Sequence, residues 1–274
     1  MPELPEVETI ARGLDKRVRG DVIDSVWLGM HPEPLKSSPQ QIVSALAQSR
    51  IARVRRVGKH IVFDLESIGD QSGNAKRQWI VHLGMTGRML VASREEAAPK
   101  HTHAVALLAS GRELRFVDPR RFGRLSVISE ADFAGPGTEP LTVGADEFAK
   151  LFRGRKTPIK AALLNQKLLH GVGNIYADES LFRATIRPLR QAGRLTRAEL
   201  DRLHAAVKEV LKEAIKLGGS SVSDYVNAEG KEGFFQLQHR VYMRTGQPCL
   251  VCRTPIKRIV LGGRGTHYCP KCQK

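Results

Sequence analysis

The first eight residues, Met-Pro-Glu-Leu-Pro-Glu-Val-Glu, place a proline at position 2 and three acids at the start of a strongly basic chain. If Met1 is removed, Pro2 becomes the amino terminus, and its secondary amine can attack an aldehyde-like carbon to give a positively charged iminium. An α-amino group titrates at about pH 8, roughly two units below lysine, so more of it is reactive at neutral pH. Glu3 is placed to move protons for that amine. These residue types predict covalent catalysis by an amine nucleophile.

The same residues also fit an ordinary helix start. Pro5 suits the first helical position, and Glu6 and Glu8 suit the positive end of the helix dipole. On these eight residues alone the structural interpretation is the simpler one, so the catalytic interpretation depends on the rest of the chain.

A second candidate site is formed by the cysteines, which all lie in the last 26 residues. Their spacing is Cys249-x2-Cys252, sixteen residues, then Cys269-x2-Cys272, which is typical of a zinc ribbon with four thiolate ligands. Two disulfides are the alternative, but the chain shows no secretion signal that would favour an oxidising compartment. We therefore predict one structural Zn ion with no open coordination position. His267 lies nearby, where packing or a DNA contact is the expected role.

The charge of the chain indicates its class of partner. Its 274 residues include 44 Lys and Arg against 28 Asp and Glu, a formal net charge of +16. Such a surface favours a polyanion, and nucleic acid is the first candidate. An anionic membrane is the alternative, but the sequence shows no long basic amphipathic helix or lipidation signal. No leader-like segment and no run of about eighteen apolar residues is found, so we expect a cytoplasmic protein without a membrane partner.

The hydrophobic pattern along the chain predicts an α+β protein. Val7, Ile10 and Leu14 mark one helical face, and Gly20 follows as a stop. Short apolar or alternating runs then predict strands at 22–27, 51–57, 61–65, 79–83, 104–108, 113–117 and 124–128, with one helix at 40–48 between them.

Beyond a Gly- and Pro-rich linker at 134–142 the period becomes helical. Helices are predicted at 146–152, 158–169 and 175–182. The longest helix begins at Thr196, which forms a capping box with Glu199. Residues 238–274 contain eight Lys or Arg and no acid, which predicts a basic zinc module.

Several separated motifs coincide in this chain: Pro-Glu-Leu-Pro-Glu-Val-Glu-Thr at 2–9, His-Leu-Gly-Met-Thr-Gly at 82–87, Asp-Pro-Arg-Arg-Phe-Gly at 118–123, Gly-Val-Gly-Asn-Ile-Tyr at 171–176, and the terminal cysteines. Together they resemble the bacterial formamidopyrimidine-DNA glycosylases, the Fpg or MutM branch of the Fpg/Nei family. The resemblance implies an N-terminal β-sandwich with flanking helices (1–133), a linker (134–145), a helix-two-turn-helix domain (146–237) and a zinc ribbon (238–274). DNA is expected in the cleft between the domains.

The resemblance also implies the activity, which is excision of oxidised purines such as 8-oxoguanine and formamidopyrimidines from duplex DNA. The base leaves through a Schiff base on Pro2, and the strand is then cut by β,δ-elimination. By the same resemblance Glu3 is the acid and base partner, Glu6 a supporting carboxylate, Lys59 a lysine near the lesion and its phosphates, and Arg264 an arginine that grips the flanking phosphates. Exposed hairpin positions are the alternative for Lys59 and Arg264. Relatives often have Tyr after this lysine, whereas this chain has His60.

The remaining assignments concern the DNA. The resemblance places His103, Arg120, Lys160, Asn174 and Arg264 at the DNA. It also assigns Met85, Arg120 and Phe122 to the gap left by the extruded nucleotide, where an apolar wedge and an arginine would stabilise the orphaned base. Core packing is the alternative for Met85 and Phe122. Some relatives carry an acid where this chain has Thr86. Ser220 and Tyr225 fall in the segment that covers the lesion in the family.

Two rival interpretations remain at this stage. The first is the Nei branch, which acts on oxidised pyrimidines, but Leu4 favours the Fpg side because Nei-like members usually have Gly there. The second is a noncatalytic zinc-ribbon protein that binds damaged or abasic DNA, and retention of Met1 would favour it. In either catalytic interpretation we expect a monomer that binds damaged double-stranded DNA in the bacterial cytoplasm, associated with the nucleoid.

Overall fold

The computed structural model describes residues 1–68, 77–129, 132–221 and 233–274. The chain divides into two compact units, Met1–Ala134 with Ser220–Gly233, and Gly135–Gly219 with Phe234–Lys274. The division after Ala134 coincides with the start of the Gly- and Pro-rich stretch. The second unit contains both the helical segment and the cysteine-rich terminus. Helices and strands are both present, so the predicted α+β class is confirmed.

The first unit is built around one antiparallel sheet with the strand order β5-β7-β6-β1-β2-β3-β4-β8. Its elements are α1 (Leu4–Val18), β1 (Val22–Leu28), α2 (Pro39–Leu46), β2 (Ser49–Val57), β3 (His60–Ser67), β4 (Arg77–His82), β5 (Arg88–Ser93), β6 (Thr102–Leu108), β7 (Arg112–Val117) and β8 (Arg124–Ser129). The eight strands are joined edge to edge, and their buried residues share one core with α1 and α2.

Helix α1 is fixed to the sheet by its apolar face. Val7, Leu14 and Val18 are fully buried, and Ile10 is nearly so, because residues three or four apart lie on one side of a helix. Each such burial contributes about 1.5–3 kcal/mol. The helix ends where predicted, since Gly20 takes a left-handed conformation with φ +83°. Residues 1–3 are therefore attached directly to a helix that is held in place by the core.

Strand β5 is absent from the sequence prediction. Its residues Arg-Met-Leu-Val-Ala-Ser pair with β7 over their whole length. A short continuous apolar run does not distinguish a strand from a buried helical segment, so only the pairing with β7 identifies it. The other seven predicted strands are found with ends shifted by one or two residues.

The second unit contains four α-helices among its described residues. Its elements are α3 (Ala145–Phe152), α4 (Ile159–Leu164), α5 (Asn174–Arg183), α6 (Arg197–Lys216), two 3-10 turns (Ala192–Arg194 and Phe235–Gln238), and the hairpin of β9 (Lys257–Leu261) and β10 (Arg264–Tyr268). The capping box of α6 is confirmed, because Glu199 N donates to Thr196 Oγ1 at 3.3 Å and Thr196 N donates to Glu199 Oε2 at 2.8 Å.

Helix α4 is shorter than predicted, since the sequence pattern continued to residue 169. Asn165 leaves the helical conformation with φ −74° and ψ 104°, and its side-chain oxygen accepts a hydrogen bond from Lys167 N at 3.0 Å. Asparagine offers the backbone a partner outside the helix and so competes with helix formation. The chain between α4 and α5 is therefore a turn. Across the described ranges no helix is both long and apolar enough to cross a membrane.

Candidate active site and nucleic-acid interface

The start of α1 brings two carboxylates together beside Pro2. Glu3 is the N-cap residue and Glu6 lies in the first turn, and they are 4% and 2% exposed. Glu6 Oε2 accepts a hydrogen bond from Glu3 N at 2.8 Å, and Glu6 Oε1 accepts one from Ser220 N at 2.8 Å. These amides and the helix dipole stabilise charges that burial alone would disfavour.

Both interpretations of the N-terminal residues are therefore compatible. The helix start with its capping box is present, and it holds half-buried Pro2 next to a buried acid pair. A reactive amine at Pro2 would have a carboxyl group within one residue for proton transfer. The catalytic roles of Pro2, Glu3 and Glu6 stay predictions.

Lys59 lies in the turn between β2 and β3, where Gly58 takes φ +55°. It is only 5% exposed, which removes the alternative of a solvated hairpin lysine. The turn is tied to α1 by Arg56, whose Nε donates to Glu8 Oε2 at 2.7 Å. Burial alone would raise the pKa of Glu8, but the hydrogen bonds and charges of Arg56 and Arg12 outweigh it and lower that pKa. The ion pair fixes the end of β2 to the helix that begins after Pro2.

His60 follows Lys59 and is packed among rings. Its ring centroid lies 4.9 Å from that of His82 and 4.9 Å from that of Phe133. Burial lowers the pKa of His60 to about 4; a hydrogen bond to the Val57 backbone opposes this shift, and the charge of Arg124 adds to it. The imidazole beside Lys59 is therefore neutral at neutral pH.

The three gap-filling candidates lie on two loops, here called the Met85 loop (residues 83–87) and the Phe122 loop (residues 118–123). Met85 is 43% exposed and Phe122 is 54% exposed, so core packing does not explain either side chain. The guanidinium carbon of Arg120 lies 5.0 Å from the centre of the Phe122 ring, a cation–π contact. The arrangement presents an aromatic ring, a cation and a thioether at the surface of the first unit.

His103 occupies a different position from that of a surface DNA ligand. It is 3% exposed, and its Nε2 donates to the backbone oxygen of Asp118 at 2.9 Å. The buried side chain of His103 thus holds the first residue of the Phe122 loop through this hydrogen bond. Its direct contact with DNA stays a prediction.

Arg264 is the first residue of β10, directly after a two-glycine turn. Gly262 and Gly263 have φ +55° and +72°, as a type I′ hairpin turn requires, and Leu261 pairs with Arg264 across the turn. The side chain of Arg264 is exposed. Neither strand of this hairpin was predicted, although the Gly-Gly pair between two apolar-containing runs is a hairpin signal.

Lys160 is buried beneath this hairpin with 0% exposure. Its Nζ lies 2.7 Å from Asp178 Oδ1 and donates to Gly265 O at 2.9 Å and to Thr266 Oγ1 at 2.8 Å. Asn174, the first residue of α5, donates its side-chain amide to the same Gly265 oxygen at 3.0 Å. The bonds to Gly265 and Thr266 hold the two residues that follow Arg264. Lys160 is therefore placed to act through the hairpin, and its contact with phosphate stays a prediction.

Two acids of α5 were missed by the sequence analysis. Asp178 Oδ2 accepts from His267 N at 2.9 Å, and Glu179 accepts the backbone N–H groups of Arg240, Val241 and Tyr242 at 2.8–3.1 Å. Burial raises the pKa of Glu179, against the effect of these hydrogen bonds. Both acids are fully buried. The available signal was two adjacent acids placed between the apolar residues Ala177 and Leu181 of one short helix, since buried acids require partners.

The four cysteines are brought together as predicted. Their sulfur atoms all lie within 4.8 Å of one another, with Cys249 to Cys272 at 3.9 Å and Cys252 to Cys269 at 3.4 Å. Zinc–thiolate bonds of about 2.3 Å in a tetrahedron require sulfur separations of about 3.8 Å. The cluster therefore fits one Zn ion, and four thiolates complete its coordination.

The zinc cluster is also part of the core of the second unit. Cys249 and Cys269 pack with Phe182 of α5 and with Val241. Lys274 N donates to Thr185 O at 3.1 Å. A metal that organises the cysteines would thus also fix the carboxyl-terminal residues against α5 and the turn after it.

The predicted lesion-covering segment is described only at its ends. Ser220 binds Glu6, and Ser221 Oγ accepts a hydrogen bond from Gly233 N at 2.8 Å, so the two ends of the segment meet. Tyr225 lies outside the described residues.

Three family models match successive parts of this chain. The formamidopyrimidine-DNA glycosylase N-terminal domain matches residues 1–125, the formamidopyrimidine-DNA glycosylase H2TH domain matches residues 135–226, and the zinc finger found in FPG and IleRS matches residues 246–274.

Full-length relatives and solved structures give the same result. The formamidopyrimidine-DNA glycosylases of Solibacter usitatus and Herpetosiphon aurantiacus are 44% and 42% identical, with 100% of each chain covered. The MutM (Fpg) protein of Thermus thermophilus superposes with a TM-score of 0.86 at 42% identity, covering 99% of this chain and 98% of that one. A mutant Lactococcus lactis FPG in complex with Fapy-dG-containing DNA gives a TM-score of 0.90 at 34% identity, covering 100% of both chains.

A β-sheet unit that begins with Pro-Glu-Leu-Pro-Glu, a helical H2TH segment and a four-cysteine zinc finger define a class of DNA glycosylase that carries a zinc finger. The chain belongs to the formamidopyrimidine-DNA glycosylase family. Its predicted class of enzyme and its predicted zinc finger are thereby confirmed.

Proposed function

We propose that this enzyme releases oxidised purines from damaged duplex DNA by using the amine of Pro2 as nucleophile and then cleaves the strand at the same sugar. The observation that carries the proposal is the buried pair of Glu3 and Glu6 directly after Pro2 at the start of α1. The capping box of α1 already engages both side chains, since Glu3 accepts a hydrogen bond from the backbone of Glu6 and Glu6 accepts one from Glu3 N. Two buried acids beside a potential secondary amine additionally provide for proton transfer.

Base release consists of one substitution. The lone pair of the Pro2 nitrogen forms a bond to C1′ of the sugar, and the bond from C1′ to the base breaks with its electron pair leaving on the base. The proline nitrogen then loses its proton, and its lone pair forms a double bond to C1′ while the C1′–O4′ bond breaks with its electron pair going to O4′. O4′ takes up a proton, and the opened sugar is an iminium. Glu3 supplies and removes these protons, while Glu6 orients the backbone of Glu3 through its hydrogen bond.

Strand cleavage follows because the iminium withdraws electrons from C2′. Loss of a C2′ proton expels the 3′ phosphate, and a second elimination expels the 5′ phosphate. Lys59 is proposed to act near these phosphates from the turn fixed by Arg56 and Glu8. Arg264 is proposed to bind the flanking phosphates from its exposed hairpin.

DNA binding relies on the basic surface. A net charge of +16 favours release of counterions from the duplex, and the amide hydrogens at the start of α5 favour a phosphate. Zn, when bound, holds the four cysteines and takes no part in the chemistry. We propose that one chain acts alone on one lesion, on the DNA of a bacterial cytoplasm.

The test is capture of the iminium. The protein with Met1 removed is incubated with an 8-oxoguanine duplex and borohydride, and we expect a covalent protein–DNA adduct. Pro2→Gly and Glu3→Gln should abolish or strongly reduce both the adduct and base release, whereas Pro5→Ala, a proline in the same helix start, should retain both. Absence of an adduct with the processed protein would overturn the proposal. Faster trapping on an oxidised pyrimidine than on 8-oxoguanine would assign the Nei-type substrate instead.

A further inference from the structure

The Met85 loop and the Phe122 loop meet at one buried carboxylate. Asp118 is 0% exposed. Its Oδ1 accepts a hydrogen bond from Thr86 Oγ1 at 2.5 Å and one from Arg120 N at 3.2 Å, and its Oδ2 accepts one from Gly123 N at 2.7 Å. One side chain therefore joins the two loops that carry the three gap-filling candidates.

The backbones of the two loops are also in direct contact. Gly84 has φ +62°, and a Cβ atom placed there would lie 2.5 Å from the carbonyl carbon of Phe122. Any side chain at this position would push the loops apart. The loops thus form a single unit that depends on a glycine contact and on the Asp118 hydrogen bonds.

The Phe122 loop holds an unfavourable conformation that needs external support. Arg121 has φ +57°, a left-handed conformation that residues with a Cβ rarely adopt. Its backbone nitrogen donates to Asp118 O at 3.3 Å, and its guanidinium binds Glu33 at 2.8 Å. Such a conformation persists only where surrounding contacts determine it, and Asp118 provides contacts on both its backbone and its side chain.

A carboxylate is the group that these contacts require. Ionised aspartate only accepts hydrogen bonds, and Asp118 receives donors at both oxygens. An asparagine at position 118 would replace one of these oxygens with an NH2 group, which would face a donor and lose that hydrogen bond. The hydroxyl of Thr86 is one of these donors. An acid at position 86 would instead place a second negative charge beside the carboxylate of Asp118.

We propose that Asp118, together with Thr86, is a positioning residue that holds Met85, Arg120 and Phe122 as one rigid wedge for the gap left by an extruded nucleotide. The inference rests on the proposed function and deepens it. A wedge that is ordered before DNA binds loses less conformational freedom on insertion. Asp118 acts through these residues and does not touch the reacting atoms.

The test separates insertion from chemistry. Thr86→Val removes the hydroxyl donor with little change of shape, Thr86→Ser keeps it, and Thr102→Val is a matched control because Thr102 is half-buried and its hydroxyl binds Pro99 O at 2.6 Å. By the proposed role of the wedge, single-turnover excision of 8-oxoguanine from a duplex requires its insertion. Borohydride trapping on a single-stranded abasic oligonucleotide does not, because no partner strand leaves a gap.

We expect Thr86→Val and Asp118→Asn to slow duplex excision about tenfold or more, since each disturbs a hydrogen bond to a charged group, and to leave single-strand trapping within about twofold. Thr86→Ser and Thr102→Val should behave as the unmodified protein. Unchanged duplex excision, or an equal loss on both substrates, would overturn the proposal.

A second measurement is independent of the chemistry at Pro2. With 2-aminopurine opposite the lesion and Glu3→Gln as background, unstacking on binding should give a smaller fluorescence rise when Thr86→Val is added. An unchanged rise would count against the wedge role even if the enzyme proved inactive, and a smaller rise would support it whatever the outcome at Pro2.

Discussion

The carboxylate of Glu6 accepts a hydrogen bond from the backbone nitrogen of Ser220, 214 positions further along the chain, at 2.8 Å. The same carboxylate binds Glu3 N at 2.8 Å. One buried side chain thus connects the residues after Pro2 with the beginning of the predicted lesion-covering segment, which starts at Ser220. Glu6 is therefore a link between the proposed nucleophile and the 220–233 segment.

Replacing Glu6 should affect chemistry more than folding. Glu6→Gln keeps the size of the side chain but turns an N–H group towards one of its two donors, a loss of about 1–3 kcal/mol. We expect borohydride trapping to fall about tenfold or more while the protein stays folded at 25 °C. Glu147→Gln, at an exposed acid in the first turn of α3, should change neither quantity, and equal trapping by Glu6→Gln and Glu147→Gln would contradict a role for Glu6.

The burial of Lys160 predicts a particular effect of salt on DNA binding. The logarithm of the binding constant falls linearly with the logarithm of the salt concentration, and the slope increases with the number of phosphate contacts. Arg264→Gln should therefore reduce the slope of log K against log salt by about one contact. Lys160→Gln should weaken binding by displacing the hairpin residues that it holds, with an unchanged slope.

The salt slopes of Arg264→Gln and Lys160→Gln are compared by fluorescence anisotropy with an abasic-site analogue duplex at several salt concentrations. Lys160→Gln should also lower the thermal unfolding midpoint, because Asp178 would lose the cation at 2.7 Å and be left as a buried charge, at a cost of about 3–5 kcal/mol. A slope reduced as in Arg264→Gln would instead establish a direct contact between Lys160 and phosphate.

The lowered pKa of His60 predicts a pH dependence of stability. The pKa is about 4 in the folded protein and about 6.5 in the unfolded chain, so between these values the unfolded chain binds more protons. The contribution of His60 is complete above about pH 6.5 and is lost as the pH falls towards 4. His239, whose pKa burial and the charge of His267 also lower to about 4, acts in the same direction.

The check is urea unfolding at pH 7 and pH 5. In His60→Phe the decrease in the free energy of unfolding between these values should be smaller than in the unmodified protein by about 1–2 kcal/mol. His31→Phe, at an exposed histidine, serves as the control and should show the full decrease. An equal decrease in all three proteins would show that His60 does not titrate as described.

Removal of zinc should weaken DNA binding through the hairpin that carries Arg264. Loss of one thiolate leaves an incomplete tetrahedral site, and the cysteines share a core with Phe182 and Val241. We expect Cys269→Ser to bind less than one Zn per chain and to lose about tenfold or more in affinity for damaged duplex. Chelation of the unmodified protein should have the same effect, and added Zn should restore binding there but not in Cys269→Ser. Unchanged binding after metal loss would separate the zinc cluster from the DNA interface.

Local sequence was sufficient for features that depend on neighbours along the chain. The spacing of the cysteines predicted their cluster, since two short knuckles can each offer two sulfurs. Thr196 and Glu199 predicted the start of α6, because the capping box is formed within four residues. Gly20 predicted the end of α1 in the same way.

Other features depend on residues far apart in sequence, and only the tertiary structure decided them. In the sequence, Lys160 cannot be distinguished from an exposed lysine that binds phosphate. In the structure it is buried, and its Nζ contacts Asp178, Gly265 and Thr266. Strand β5 is recognisable through its pairing with β7.

By itself, the sequence determined the family resemblance, the α+β class, the zinc cysteines and the candidate nucleophile, because each rests on residue type and short-range spacing. The tertiary structure decided which donors the buried acids bind: the backbone nitrogen of Ser220 for Glu6, and the hydroxyl of Thr86 for Asp118. The physical reason is that a buried polar group must find its hydrogen-bond partner wherever the fold brings one, and that partner has no fixed distance along the chain.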